Sequence, residues 1–531
     1  MPQGVVERDR AVHFRSILFD DEPGIAPDLA APDPPEFFTD LNLGQIVDSI
    51  TAGRDEYNLK PFFYTPLRRI ESINYRYEIL LDLENQAVFG YVQSFAREMR
   101  TMREHLAQAA KLYYARQKQS WFLDAVEIYC GAVRRLATDL ASANLRSRGL
   151  LAFRDYLAEY AESAYFNALA AETQKLKSDL SGITYNLLIE GKRIHVSRYE
   201  SEQDYGADVL ETFEKFKQGA PKDYRFNFPS APDMNHVEVA ILDLVARLYP
   251  EIFSSLEEFY TRYRGYLNDT VARFDREVQF YMACLEHAER VKQAGLSVCH
   301  PMVTDQSKEV YGSDVFDLAL ADRLIRENKS VVTNDFYLQD PERIIVVSGP
   351  NQGGKTTFAR TFGQLHYLAA IGCPVPGRET RLFLFDRLFT HFEREEDIRN
   401  LSGKLENDLL RIYRILEGAT PNSILIMNES FLSTTLTDAL FLSKRILERV
   451  IELDMLCVSV TFLDELSSFS RTTVSMVSTV DPQDPARRTF KVVRKPADGL
   501  AYAVAIAEKY HLTYSGVRSR VAGNARERKA S

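Results

Sequence analysis

Nowhere in the 531 residues does an apolar run approach the roughly 20 residues that a membrane-spanning helix needs, and Arg8, Asp9, Arg10 and Arg15 interrupt the start of the chain where a signal-type apolar core would lie. A cytoplasmic protein with no membrane partner is the expectation. Cysteine is scarce: Cys130, Cys284, Cys299, Cys373 and Cys457 show neither pairing nor C-x-x-C spacing, which argues against a disulfide framework or a zinc site and fits a reducing compartment. Excess positive charge is missing too. With 65 Lys and Arg against 75 Asp and Glu, the formal net charge is −10 and the pI about 5.6. A nucleic-acid partner would therefore have to be met by a local basic face, since phosphate contacts need clustered Lys and Arg.

With 45% hydrophobic and 26% charged residues, the composition is that of a globular protein, and the length suggests about three or four domains. Residues 1–36 read as a flexible leader. The stretch Pro23 to Pro35 is dense in Pro, Asp and Ala and has little to bury, although Phe14, Ile17, Leu18 and Phe19 suit a short docked segment. From Phe37 the pattern turns helical, and between about 68 and 180 there are few glycines and no prolines. Residues 183–200 change period, with Thr184 to Ile189 and Arg193 to Val196 flanking Glu190-Gly191-Lys192, which predicts a β-hairpin. Helical periodicity returns from about 235 to 295 with a stripe of Phe253, Phe259, Tyr260, Tyr263, Tyr266, Phe274, Phe280 and Tyr281. Interleaved with Arg, such a stripe suits a nucleic-acid platform, but at helical spacing interhelical core is the expected reading.

From about 310, strands alternate with helices. Strands are expected before residue 349, at Leu382 to Thr390, Ser423 to Met427 and Leu456 to Thr461, with helices to about 371 and over 403–417 and 437–453. That alternation predicts a mostly parallel sheet covered on both faces. The expected organisation is thus a helical core and lever or clamp region over 37–300, an α/β P-loop nucleotide domain over 301–515, and a basic flexible tail over 516–531.

The apolar run Ile344 to Ser348 leads into Gly349-Pro350-Asn351-Gln352-Gly353-Gly354-Lys355-Thr356-Thr357, which fits G-x-x-x-x-G-K-[ST]. The glycines let backbone N–H groups turn toward phosphates, Lys355 reaches β and γ oxygens, the Thr356 hydroxyl suits Mg²⁺, and a helix starting at Lys355 aims its positive end at the same charge. The expected ligands are ATP and Mg²⁺. The strand Ser423 to Met427 runs into Asn428-Glu429, a Walker B arrangement in which Asn428 contacts the metal through water and Glu429 orients the attacking water. Glu429 and Lys355 are the expected catalytic pair.

These segments together resemble the MutS family of DNA mismatch-repair ATPases. The family's T-G-P-N-M-G-G-K-S-T resembles Ser348 to Thr357, its I-D-R-I-F-T-R resembles Phe385 to His391, and its D-E-x-x-x-G-T-S-T-x-D-G resembles Asn428 to Ala439. A weaker likeness to the family's helical core covers Thr65 to Arg76. The resemblance implies that a partner protomer's helix start, here Ser402, Gly403, Lys404 and Asp408, completes the site, and that Thr434, Thr435 and Asp438 lie at the dimer interface. It also implies adenine contacts from Asn334 and Phe336, with core packing an equal reading for Phe336. Three positions depart from the family: Asn428 replaces an Asp, Gly403 stands at the signature serine, and Phe462 stands where a phosphate-sensing His is usual. An active but slow, DNA-coupled ATPase is the expectation.

Because core-like helices begin so early, the family's N-terminal mismatch-reading domain is not expected here, nor is a nuclease-like domain at the C-terminus. Candidate basic stretches for DNA are Arg134-Arg135, Arg146-Ser147-Arg148 and the tail with Arg518, Arg520, Arg526, Arg528 and Lys529. Two readings follow from the resemblance. One is a homodimeric DNA clamp or sensor in repair or recombination; the other is an ATPase switch that binds proteins and no DNA, as the acidic balance suggests.

Overall fold

The computed structural model describes residues 14–20, 33–200, 234–393, 403–431, 433–484 and 487–497. Most of the expected leader and the whole basic tail lie outside them. The described chain forms two compact units, neither continuous in sequence. The first gathers Phe14, Asn85–Arg146 and residues 150–200 and 234–275; the second gathers residues 15–20 and 33–84, Ser147–Gly149 and the described residues from Arg276 onward. The expected linear boundary at residue 300 is therefore not where the chain divides, because residues 33–84 fold with the later α/β half.

In the first unit, the proline-free stretch becomes long helices. Gln86–Lys111 and Ala115–Ser142 pack along one another, and at 1.5 Å per residue the longer spans about 42 Å. Val88, Val92, Phe95, Met99 and Met102 recur every three or four residues and form the buried stripe of the former helix. Caps fix the helix starts: the Asn85 side chain accepts from the Ala87 N–H, Ser163 from Phe166, and Asn235 forms a capping box with Glu238 ahead of His236–Leu248. The aromatic stripe is core. Phe259, Tyr263, Tyr266 and Phe274 are at most 5% exposed, and the Phe274 ring stacks on Phe153 at 3.6 Å, so these rings present no face to a nucleic acid. The hairpin forms as expected from Tyr185–Glu190 and Arg193–Arg198, with Gly191 at φ 59 in its two-residue turn.

The second unit is built on a six-stranded sheet. Its strands are β1 (Ile344–Ser348), β2 (Leu388–Phe392), β3 (Ile424–Asn428), β4 (Leu456–Val460), β5 (Thr473–Val480) and β6 (Arg488–Arg494), ordered β2-β3-β4-β1-β5-β6. All neighbours are parallel except β5 and β6. The apolar β1 is buried at all five positions, as a strand in the middle of such a sheet must be. The single strand expected over Leu382 to Thr390 is two strands. Glu379–Phe383 joins a separate four-stranded sheet with Met302–Thr304, Val310–Val315 and Asn334–Leu338, while β2 is the edge of the large one. The break has a polar cause: the Asp386 carboxylate accepts from the hydroxyls of Thr420 and Ser423, and Arg387 donates to the Gly418 carbonyl, so the chain turns where these groups are satisfied.

Arg76, in the helix Ile70–Leu83, joins the scattered segments of this unit. Its guanidinium is fully buried, donates from Nε to the Leu18 carbonyl at 2.9 Å and from Nη1 to the Ile371 carbonyl at 2.7 Å, and lies 5.2 Å from the ring centres of both Phe19 and Phe280. Burial pushes its pKa down. Around it Ile17, Leu18 and Phe19 are buried, and the Tyr281 hydroxyl donates to the Ile17 carbonyl. Of the docked segment expected at Phe14 to Phe19, Ile17, Leu18 and Phe19 thus lie within this core.

Two outcomes follow. Arg76→Met leaves two buried carbonyls without their donor, and should lower the unfolding free energy of this unit by about 3 kcal/mol in urea titration; an unchanged midpoint would refute the role given to it. His366 is 1% exposed and burial lowers its pKa from 6.5 to about 4. As pH falls the unfolded chain takes the proton first, so stability is full above pH 6.5 and declines toward pH 4 by up to about 1.4 kcal/mol per unit. Melting curves of His366→Phe should show a flatter pH dependence in that window.

Candidate functional site

The loop between β1 and the helix Lys355–Ala370 is shaped by two glycines with positive φ, Gly349 at 112° and Gly354 at 94°. A side chain at Gly349 would also meet the Ser478 carbonyl oxygen of β5 at 2.7 Å, so only glycine fits there. The Ser478 hydroxyl donates to the Gly353 carbonyl at 2.6 Å, so β5 supports the loop from below.

Lys355 is 4% exposed, and its ammonium finds its acceptors inside its own loop: the Gly349 carbonyl at 3.0 Å, the Pro350 carbonyl at 3.2 Å and Asn351 Oδ1 at 3.2 Å. Glu429 Oε1 stands 3.8 Å away. Burial lowers the lysine pKa, Glu429 opposes that, and the Arg488 guanidinium adds to it. Thr356 Oγ1 donates to Asn428 Oδ1 at 2.8 Å, which brings the first helical turn against the end of β3. Directly after β3, Glu429 at φ 51 and Phe431 at φ 65 are left-handed, and the Glu429 N–H donates to the Val460 carbonyl at 2.9 Å. Lys355, Thr356, Asn428 and Glu429 are therefore brought together, at the start of a 16-residue helix whose first N–H groups have no intrahelical acceptor. Gln352 and Thr357 border the same loop, Gln352 with a left-handed backbone at φ 59. Anion binding is what this geometry suits.

Other expected site residues stand differently. Phe336 is 3% exposed and packs its ring against Phe358 and Phe362, so it belongs to the core and offers no adenine face. Asn334 uses its amide on the backbone of β6, accepting from the Val492 N–H at 2.7 Å and donating to the Phe490 carbonyl at 3.4 Å. Asp408 is 7% exposed and turned toward His391 and Arg411 of the same chain. Burial is the largest influence on its pKa and raises it. Gly403 caps the helix Lys404–Gly418 without a side chain, and Lys404 pairs with Glu393; Ser402 lies outside the described residues. Thr434 and Thr435 both donate to Asp438 Oδ2, and Thr435 caps the helix Leu436–Glu452, an exposed arrangement. Phe462, just after β4, is 46% exposed.

Sequence reasoning missed three residues, all on the β5–β6 hairpin: Ser478, Arg488, whose Nε donates to the Asn351 carbonyl at 3.2 Å, and Phe490. Phe490 is 49% exposed, left-handed at φ 58, with its Cβ near Gly354. The β-branched run Thr473 to Val480 was the available signal for this hairpin. Among the candidate basic stretches, Arg135 pairs with Glu98, and Arg148 pairs with Glu78 while lying over the Tyr75 ring, so neither is an uncommitted charge. No group of three or more His, Cys, Asp or Glu able to hold a metal, and no helix long and apolar enough to cross a membrane, occurs among the described residues.

Comparison with known proteins bears on the same region. A family profile described as MutS domain V matches residues 345–521. The DNA mismatch repair protein MutS of Halalkalibacterium halodurans is 29% identical over 186 residues, 34% of this chain and 21% of that protein. The DNA mismatch repair protein MSH3 of Eremothecium gossypii is 29% identical over 136 residues, 25% of this chain and 13% of that one. MutS of Rickettsia rickettsii is 31% identical over 148 residues, 28% of this chain and 17% of its own length. Each match therefore covers a minor part of both proteins.

Removing the hydroxyl beneath the loop should loosen it. In Ser478→Ala the lost hydrogen bond is worth about 1 kcal/mol, so the amides of Gly353 and Gly354 should exchange with deuterium about five times faster while those of β1 keep their protection. Equal loop protection in both proteins would show that β5 does not support it.

Proposed function

Because the chain belongs to the MutS family, we propose that it binds and hydrolyses ATP at the β1–helix loop and works as a homodimeric DNA clamp or sensor in repair or recombination. One observation carries the reading: Lys355, Thr356, Asn428 and Glu429 converge on a glycine loop at a helix N-terminus, with hydrogen-bond and ion-pair distances of 2.8 to 3.8 Å among them. The fold is then of the P-loop ATPase kind. The loop N–H groups and the helix start bind the phosphates, and Lys355 turns from its loop carbonyls to phosphate oxygens. Phe490, exposed beside Gly354, offers a ring face for the purine in place of the buried Phe336.

Glu429 orients the attacking water and accepts its proton, at a position fixed by the left-handed turn. Magnesium, when bound, would supply charge neutralisation on the phosphates; the Thr356 hydroxyl and, through water, Asn428 would hold it, a reading that their 2.8 Å hydrogen bond supports. An uncharged Asn428 holds the ion less firmly than a carboxylate, which with Gly403 and Phe462 favours slow turnover. Dimerisation is supported by large apolar side chains exposed on the two helices after β2 and β3: Leu410 at 45%, Tyr413 at 62%, Leu436 at 62% and Phe441 at 58%.

ATP turnover by the purified protein, with and without duplex, mismatched and branched DNA, tests the proposal against a Glu429→Ala control. One DNA form should stimulate turnover, and the control should lose about 100-fold or more. Turnover indifferent to every DNA, with no binding at low salt, would leave the protein-binding switch. A wild-type rate no higher than the control would remove the ATPase reading.

A further inference from the structure

His391, the fourth residue of β2, is 1% exposed and reaches two elements at once. Its Nδ1 lies 3.0 Å from Ser430 Oγ, in a hydrogen bond whose donor depends on the imidazole tautomer. Ser430 directly follows Glu429. On the other edge of the ring, Nε2 faces Asp408 Oδ1 at 3.7 Å, an ion-pair distance. Asp408 sits on the second turn of the helix Lys404–Gly418, whose N-terminal half is tied to the end of β2 in two further places. Arg411 donates to the Phe392 carbonyl at 3.1 Å, and Lys404 pairs with Glu393.

The turn that His391 touches needs support from outside. Two left-handed residues other than glycine within three positions, Glu429 and Phe431, are a costly backbone that persists only where its surroundings over-determine it. Phe431 is held by burial at 1% exposure, and the Glu429 N–H by the Val460 carbonyl. Ser430, between them, is held by the imidazole. A displacement of the helix start moves Asp408, and a ring packed at 1% exposure has little room to absorb that displacement without passing it to Ser430.

We propose that His391 is a positioning residue that couples the helix Lys404–Gly418 to the carboxylate of Glu429 through the contacts Asp408–His391–Ser430. The proposal rests on the ATPase reading and adds to it a route within one chain. A partner that shifts the helix start, whose signature position is read as facing the partner's nucleotide, thereby adjusts the water-orienting residue of this chain's own site.

The test compares kcat and KM for ATP in full-length His391→Asn, Ser430→Ala and Asp408→Asn, with Glu429→Ala as the inactive control and thermal melting as the fold control. His391→Asn keeps an amide near the Nδ1 position and gives up the reach to Asp408. Asp408→Asn and Ser430→Ala act at the two ends and spare the buried ring. Each variant should lower kcat by about tenfold with KM within about twofold of wild type, and Ser430→Ala combined with Asp408→Asn should lower it no further than either alone. Independent, multiplying losses, or wild-type kcat in folded Ser430→Ala and Asp408→Asn proteins, would overturn the coupling while leaving the ATPase reading in place. Wild-type turnover no greater than that of Glu429→Ala would remove both.

Discussion

An ammonium group that is 4% exposed must have its three N–H donors met by the protein, and the region around Lys355 is arranged to satisfy that demand. The acceptors come from the residues immediately before it, so the loop has to fold back around its own lysine. Folding back requires the left-handed backbone at Gly349 and Gln352, a neighbour as close as Ser478, and a helix that starts at the lysine itself. β1 lies between β4 and β5 in the large sheet, and this fixes the loop's point of departure. In the proposed ATPase, an arriving phosphate would exchange one set of oxygen acceptors for another. The cost of drying the lysine has already been met in folding, which is the sense in which the site is preorganised.

Charge around the loop is close to balanced. Lys355 and Arg488 contribute two cations, Glu429, 3.8 Å from the lysine, and Asp464 two anions, and Asn428 a dipole alone. In the proposed ATPase, the helix start and the loop N–H groups, rather than a surplus of cationic side chains, would draw the phosphates.

Residues whose roles depend on neighbours in the chain were legible in the sequence. The spacing from Gly349 to Thr357 located the loop, the strand before it and the helix after it to within a residue, and the hairpin at Tyr185–Arg198 was evident from its change of period. What sequence could not supply was partnership across distance. Phe336 suits a ligand contact and core packing equally by type and position, and Phe358 and Phe362 from the following helix decide for the core. Asp408 has the charge of a surface residue, yet His391 and Arg411 draw it inward. The stretch Leu382 to Thr390 is apolar on either side of Asp386-Arg387, and the partners that split it there, the hydroxyls of Thr420 and Ser423 and the Gly418 carbonyl, lie more than thirty residues on. Nothing in residues 37–84 announces that they fold with a sheet that begins at residue 344.

That last pairing has a consequence in time. The carbonyl that Arg76 needs at Ile371 lies 295 residues further along the chain. At about 5–20 residues per second, synthesis takes about 15–60 seconds to deliver it. Until then the Arg76 Nε can reach the Leu18 carbonyl, but its Nη1, and the Phe63 carbonyl that accepts from the Tyr367 hydroxyl, lack their native partners. Closing so long a loop adds little to the final free energy but weighs on the rate. The emerging polypeptide thus carries an early-made apolar segment that must be kept from other chains until the last third of the protein has left the ribosome.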